Sequence, residues 1–288
     1  MLVPLDSASV FSEGLDHPEC VTVDARDGSL WAGGEAGQIY HIAAGGGPPE
    51  LITTTGGFIL GVAVSPDGSW LAACDWKHAC VWRWDFATRR LSEFARGPII
   101  PNHLAFARDG RLFVSDSGAF RKICGTIYCF DNSGRGGLWH EGPFNFANGV
   151  ALAPDESALY VCCTWLPGVE RIAINRDGSP GERTVHALLP RTLPDGLAFD
   201  EDGSLFVTCY TPAQIWRISR DGGEPQVLME DWECHLLANP TNIARRGREL
   251  FAANLGRWHI TRIPLPPYLG AWRPSSGPNF PPPVCPKA

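Results

Sequence analysis

The sequence predicts an all-β chain folded as a six-bladed β-propeller with four-stranded antiparallel blades, and three observations carry that prediction. A hairpin phrase recurs six times, beginning at Glu19, Leu60, Asn102, Asn148, Asp195 and Thr241. The starts are 41, 42, 46, 47 and 46 residues apart, a period that four short strands and their turns fill. At 288 residues with 44% hydrophobic content, the chain is long enough for one such ring, and all-β rings of this size form single units.

Each element follows in chain order. The first two strands of a blade alternate apolar and polar residues around a tight turn. Leu104 and Phe106 lead into Arg108-Asp109-Gly110, Leu112 and Val114 follow, and Asp-Gly supplies the positive φ that the hairpin needs. Third strands are predicted at 37–42, 80–85, 125–131, 168–174, 213–219 and 259–265. Fourth strands follow five of them as PELITTT, RLSEFAR, GGLWHEG, RTVHALL and PQVLMED. The sixth blade lacks one. The segment ASVFSEG at 8–14 has the same character and is predicted to pair with 259–265, closing the ring and removing the free edges of a linear array. Residues 1–265 are therefore expected to form the propeller and the proline-rich 266–288 an extended tail.

Composition excludes several partners. A net charge of −7 without clustered Lys and Arg argues against nucleic acid. No basic segment with an apolar stretch opens the chain, and no apolar run approaches the ~20 residues of a span. The expectation is a cytoplasmic protein with no membrane partner, monomeric or weakly homo-oligomeric. Ten cysteines show no Cys-x-x-Cys spacing; Cys74, Cys162, Cys163 and Cys209 fall on predicted inner strands, where free cysteine packs as a small hydrophobe.

In a propeller the innermost strands line the central channel, so the six phrase-initial residues surround one opening. Glu19, Asn148 and Asp195 put two carboxylates and an amide there. Polar residues at strand starts also form turns and caps, but three at one repeat position make an oxygen-only set suited to one hard divalent ion such as Ca²⁺, Mg²⁺ or Mn²⁺. The returning strands bring Gly34, Asp75, Asp116, Thr164, Tyr210 and Asn254 to the same end, with Trp76, Trp165 and Trp258 in the loops beyond. No Gly-x-Ser-x-Gly elbow, phosphate loop or Gly-x-Gly-x-x-Gly after a strand occurs, which removes serine hydrolase, kinase and dehydrogenase readings.

The phrases PEC at Glu19, FANGVALAPD at Asn148, LPDGLAFDEDGSLFVTCY at Asp195 and the late ANLGRWHITRI resemble the SMP-30/gluconolactonase/luciferin-regenerating-enzyme family over roughly residues 10–265. The resemblance implies a propeller that hydrolyses lactones. It implies a divalent metal, calcium first and Mn, Mg or Zn as alternatives, on Glu19, Asn148 and Asp195, with Asn102 contacting substrate or water. The sequence departs from sugar-lactonase members at Ile100, where an arginine often stands two residues before the substrate asparagine. With Trp76, Phe144 and Trp165 near the entrance, a hydrophobic or aromatic lactone or ester is expected rather than a simple aldonolactone. Asp195 is the expected base and Asn102 the orienting group; His103, Asp116, Trp76, Phe144, Trp165 and Tyr210 complete the expected substrate contacts. His17 and His103 are rival bases, although alternation turns His103 away from Asn102 and into the sheet. Two other classes stay open: a metal-independent condensing propeller of the strictosidine-synthase kind, and a non-catalytic binding propeller.

Overall fold

The computed structural model describes residues 2–270, and its hairpins form for a local reason. The Asp27, Asp67, Asp109, Asp155 and Asp202 carboxylates each accept the backbone N–H two residues on, at 2.8 to 3.1 Å. Gly28, Gly68, Gly110 and Gly203 then take the positive φ that turns the chain back.

A first strand, β1 (Ser9–Glu13), precedes the first full blade. Blade 1 is β2 (Cys20–Val23), β3 (Leu30–Gly33), β4 (Gln38–Ile42) and β5 (Glu50–Thr54). Blade 2 is β6 (Ile59–Val64), β7 (Trp70–Asp75), β8 (Cys80–Asp85) and β9 (Arg90–Arg96). Blade 3 is β10 (Pro101–Phe106), β11 (Leu112–Asp116), β12 (Gly125–Phe130) and β13 (Gly136–Phe144). Blade 4 is β14 (Ala147–Leu152), β15 (Ala158–Cys163), β16 (Gly168–Ile174) and β17 (Pro180–Leu188). Blade 5 is β18 (Pro194–Phe199), β19 (Leu205–Cys209), β20 (Gln214–Ile218) and β21 (Gln226–Glu230). Blade 6 is β22 (Pro240–Arg246), β23 (Glu249–Asn254) and β24 (His259–Pro264), completed by β1.

The closure is the one the sequence predicts. Blade 6 is ordered β1-β24-β23-β22, with Ser9 opposite Arg262 and Glu13 opposite His259. The chain start adds a second tie that the strand pattern did not show: Val3 N–H donates to Leu228 O of β21 at 2.8 Å. Leu265 and Leu269 pack with Val3 and Leu228 in the apolar cluster between blades 5 and 6. Of the predicted tail, the part beyond Gly270 lies outside the described residues.

The core lies between blades. Each of six apolar clusters joins neighbouring sheets, as Phe113 and Ile127 of blade 3 pack with Val150 and Val161 of blade 4. Cys74, Cys162, Cys163 and Cys209 are fully buried, on the second strands rather than the inner ones. All nine described cysteines are free thiols.

Candidate functional site

Close approach of the inner strands builds the site. A Cβ at Gly149 would lie 2.4 Å from the carbonyl oxygen of Asp195, and one at Gly196 would lie 2.6 Å from Asn242 Cα. Only glycine lets blades 4, 5 and 6 meet this closely at the axis. Asn148 and Asp195, each one residue before such a glycine, are thereby held side by side.

Two matching relays orient the amides. Asn102 Nδ2 donates to Ser117 Oγ at 3.0 Å, and Ser117 Oγ donates to Ala147 O at 2.7 Å. Asn148 Nδ2 donates to Thr164 Oγ1 at 3.2 Å, and Thr164 Oγ1 donates to Pro194 O at 2.9 Å. Each hydroxyl spends its proton on the next blade's carbonyl, so it can only accept from the asparagine. The amide N–H end is therefore fixed and both Oδ1 atoms are left free.

The carboxylates are electrostatically uncompensated. Burial, and then the charge of Glu35, pushes Glu19 up to about 7. Burial raises Asp195 well above the ordinary carboxylate value and Glu19 raises it further, with a hydrogen bond from Asn148 acting the other way. Tyr210 is raised by burial and then by the charges of Glu19 and Asp195. Neither carboxylate has an ion-pair partner among the described residues. At the rim, His17 Nδ1 lies 2.8 Å from Asp16 Oδ1 and 3.1 Å from Glu35 Oε2, its ring packed on Trp258 at 4.4 Å.

Three expected substrate contacts stand elsewhere. Asp116 is buried, and its Oδ1 accepts Ile100 N–H at 2.8 Å and Gly118 N–H at 2.9 Å; its carboxylate holds the entrance loops instead of facing the channel. Phe144 is fully buried between blades 3 and 4 under the Arg183 guanidinium, 3.9 Å from its ring centre. The apolar pull of the inter-blade core outweighs its nearness to the mouth in sequence.

His103 crosses the channel. Val150 N–H donates to its Nδ1 at 3.3 Å, so the neutral ring carries its proton on Nε2. Nε2 lies 2.6 Å from the carboxamide of Asn242, on the blade opposite. Turning the carboxamide to present Oδ1 to this N–H gives up the bond that Asn242 Oδ1 accepts from Val21 N–H at 3.4 Å. The ring is a buried tie between opposite blades, and burial pushes it down to about 4.

Trp76 and Trp165 do stand at the entrance. Trp76 is exposed and packs on Phe58, 5.7 Å between ring centres. Trp165 joins Phe120 and Phe146, at 5.6 and 5.9 Å, in an aromatic wall that begins two residues before Asn148. Its buried Nε1 has no hydrogen-bond partner among the described residues. Phe120, Phe146, Glu35 and Ser117 escaped the sequence reading. A hydroxyl 15 or 16 residues after each asparagine was the one signal available for the relays.

The profile described as SMP-30/Gluconolactonase/LRE-like region matches residues 17–251. A gluconolactonase of Zymomonas mobilis is 27% identical over 188 residues, 56% of this chain and 51% of that protein. The chain thus spans about half the length of this curated relative. Among solved structures, a gluconolactonase from Xanthomonas campestris superposes with a TM-score of 0.76 at 20% identity, covering 90% of this chain and 89% of that one. A calcium-binding protein, regucalcin, from Agrobacterium tumefaciens gives 0.75 at 17%, covering 91% and 94%. A luciferin-regenerating enzyme gives 0.70 at 14%, covering 86% and 92%. At such identities the structural matches speak for the fold, and the profile match over most of the chain decides the rest: the protein belongs to the SMP-30/gluconolactonase/LRE-like family.

Proposed function

We propose that this chain is a metal-assisted hydrolase that opens a lactone or related cyclic ester, with a more apolar substrate than a simple aldonolactone. The observation that carries the reading is the pair Glu19 and Asp195, raised by burial and with no cationic side chain to offset them. A divalent ion fits this donor set: two carboxylates that repel without it, and an Asn148 Oδ1 that the Thr164 relay leaves free. The likeness to regucalcin, a calcium-binding protein, supports the same choice, with calcium first.

A bound divalent ion would supply Lewis-acid polarisation of an acyl carbonyl and of a water O–H. Asp195 takes the proton of the attacking water, since its raised basicity brings it closer to neutral than an ordinary carboxylate. Asn102, its N–H end tied to Ser117, accepts from that water through Oδ1 and aims its lone pair. Phe120, Phe146 and Trp165 form the side of the entrance against which an apolar substituent packs, and Ile100 offers no guanidinium to sugar hydroxyls.

The test is proton release from a panel of sugar, aliphatic and aromatic lactones, on chelated protein and after restoring Ca²⁺, Mn²⁺, Mg²⁺ or Zn²⁺. Metal-restored turnover that favours the apolar lactones is the expected result. Turnover that is indifferent to chelation removes the metal from the reading, and none with any lactone turns it toward a binding propeller.

A further inference from the structure

The channel continues past the site into a second cavity. Val21, Val62, Leu104, Leu197 and Ile243 each stand two residues beyond a phrase-initial position, so they ring the axis on the side away from the mouth. All five are buried, and they line a cavity of about 240 Å³. His103 and Asn242, one residue nearer the mouth, form its inner end. Arg245 borders its outer end, with its guanidinium paired to Asp200 Oδ1 at 3.1 Å and Glu201 Oε1 at 2.7 Å. The walls are thus apolar and hold no unpaired charge.

The inner end carries one N–H more than it can pair. His103 Nδ1 accepts Val150 N–H at 3.3 Å, its Nε2 meets the Asn242 carboxamide at 2.6 Å, and Asn242 Oδ1 accepts Val21 N–H at 3.4 Å. A neutral imidazole has one N–H and one acceptor nitrogen. Keeping the Val150 bond puts the ring proton on Nε2, so Asn242 turns Oδ1 toward it and Val21 N–H loses its acceptor. Keeping the Val21 bond makes Nε2 the acceptor, and the proton on Nδ1 then faces Val150 N–H. Either way a buried backbone N–H is left without an acceptor among the described residues, a condition that native interiors relieve with water or a ligand. The first arrangement keeps the shorter backbone bond. It leaves Val21 N–H and the Asn242 Nδ2 hydrogens at the inner end of the cavity that both residues line.

We propose that the far half of the channel binds a small uncharged molecule with an apolar body and a carbonyl oxygen, and that its occupancy is felt at Asn148. A carbonyl oxygen accepts through two lone pairs and brings no hydrogen of its own. Water meets the same N–H groups but carries two O–H groups into walls of valine, leucine and isoleucine, where they find no acceptor. A carboxylate or an ammonium finds no free counter-charge. Size agrees, since an apolar cavity of about 150 Å³ already takes benzene. The link to the site is short: His103 N–H donates to Ser115 Oγ at 2.9 Å, and Ser115 Oγ donates to Asn148 O at 2.6 Å. Ser115 is fully buried, so a shift of His103 is passed on to the strand that carries Asn148. Binding stands apart from the hydrolase reading, and only the effect on metal affinity rests on it.

The experiment is an NMR titration of the isotope-labelled full chain, chelated, with cyclohexanone, a ketone that cannot be hydrolysed. Expected are saturable shifts at the Val21 amide, the Asn242 carboxamide and the His103 ring, with the Trp165 indole at the mouth unmoved. Thr22→Phe and Ala63→Phe fill the cavity from blades 1 and 2 and should each weaken binding about tenfold or more. An unchanged melting temperature shows that the fold survives, and either variant suffices. In a separate calcium titration, saturating cyclohexanone should change the apparent affinity about fivefold or more. Absence of saturable shifts leaves the N–H to water and overturns the proposal. Shifts that both filled variants retain overturn it too, as do shifts at the Trp165 indole that Phe146→Ala removes, which put the ketone at the mouth. Calcium affinity that is equal with and without the ketone overturns the coupling. The ketone titration needs neither metal nor turnover, so its failure leaves the hydrolase reading standing, and absence of calcium binding counts against that reading alone.

Discussion

The two ends of the ring solve the same turning problem with different chemistry. At the end away from the site, short Asp-Gly turns repeat, their carboxylates accept backbone N–H groups, and arginines close ion pairs such as Arg26 with Asp24 and Arg111 with Asp109. At the mouth the loops are irregular. Eight of the ten non-glycine residues with positive φ among the described residues lie there: His17, Ala79, Arg121, Phe146, Arg191, Cys234, Asn239 and Trp258. Only Arg89 and Glu156 take that conformation at the far end. Positive φ in residues with a Cβ costs about 1 kcal/mol or more each, so the repeat keeps its glycine turns at the far end and concentrates strain around the channel opening.

The sharpest break of this comparison is Asp195→Asn. Turnover should fall roughly 10²-fold or more, while the melting temperature of the chelated protein rises because the repulsion between Asp195 and Glu19 is removed. Asp67→Asn at the far end should change neither rate nor metal response. Retained turnover in Asp195→Asn would take this residue out of the mechanism.

Between the two ends stands His103, and its prediction concerns stability. Its folded value, about 4 against an ordinary 6.5, means that the unfolded chain binds the proton more readily. The ring's contribution is therefore fully present above pH 6.5 and is lost as pH falls toward 4, by at most about 3 kcal/mol. Denaturant titrations across that range should show the loss in the native chain and a flatter profile in His103→Gln. An equal slope in both would mean that the cross-channel tie does not carry it.

Phe146→Ala tests the aromatic wall. The ratio of kcat/KM for an aromatic over a sugar lactone should drop about tenfold, with turnover of the sugar lactone little changed. A uniform loss for both would make the wall a loop support instead of a specificity element. The smallest effect belongs to Asp109→Ala, which removes an exposed turn bond and ion pair to Arg111. It should cost at most about 1 kcal/mol in a thermal melt and leave kinetics untouched.

Much of the ring is written locally. The period, the Asp-Gly turns and the alternation in strands such as Leu104–Phe106 are short-range properties, so blade count and the pairing of β1 with β24 were legible before any coordinates. The common repeat position of Glu19, Asn148 and Asp195 was legible for the same reason, since a ring maps equal position onto equal place. Side-chain destinations were not. Asp116 and Phe144 have the right spacing for the mouth, yet one is taken by the N–H groups of Ile100 and Gly118 and the other by the core under Arg183.

What the sequence determined by itself is therefore the repeat, the closure and the ring position of each oxygen donor. Only the tertiary structure decided which atom of Asn102 and Asn148 is free, that Phe120 and Phe146 join Trp165, and that His103 reaches Asn242 across 139 residues of chain. The reason is physical: strand alternation says which side of its own sheet a residue takes, while its partner is chosen by whichever blade the closed ring brings opposite.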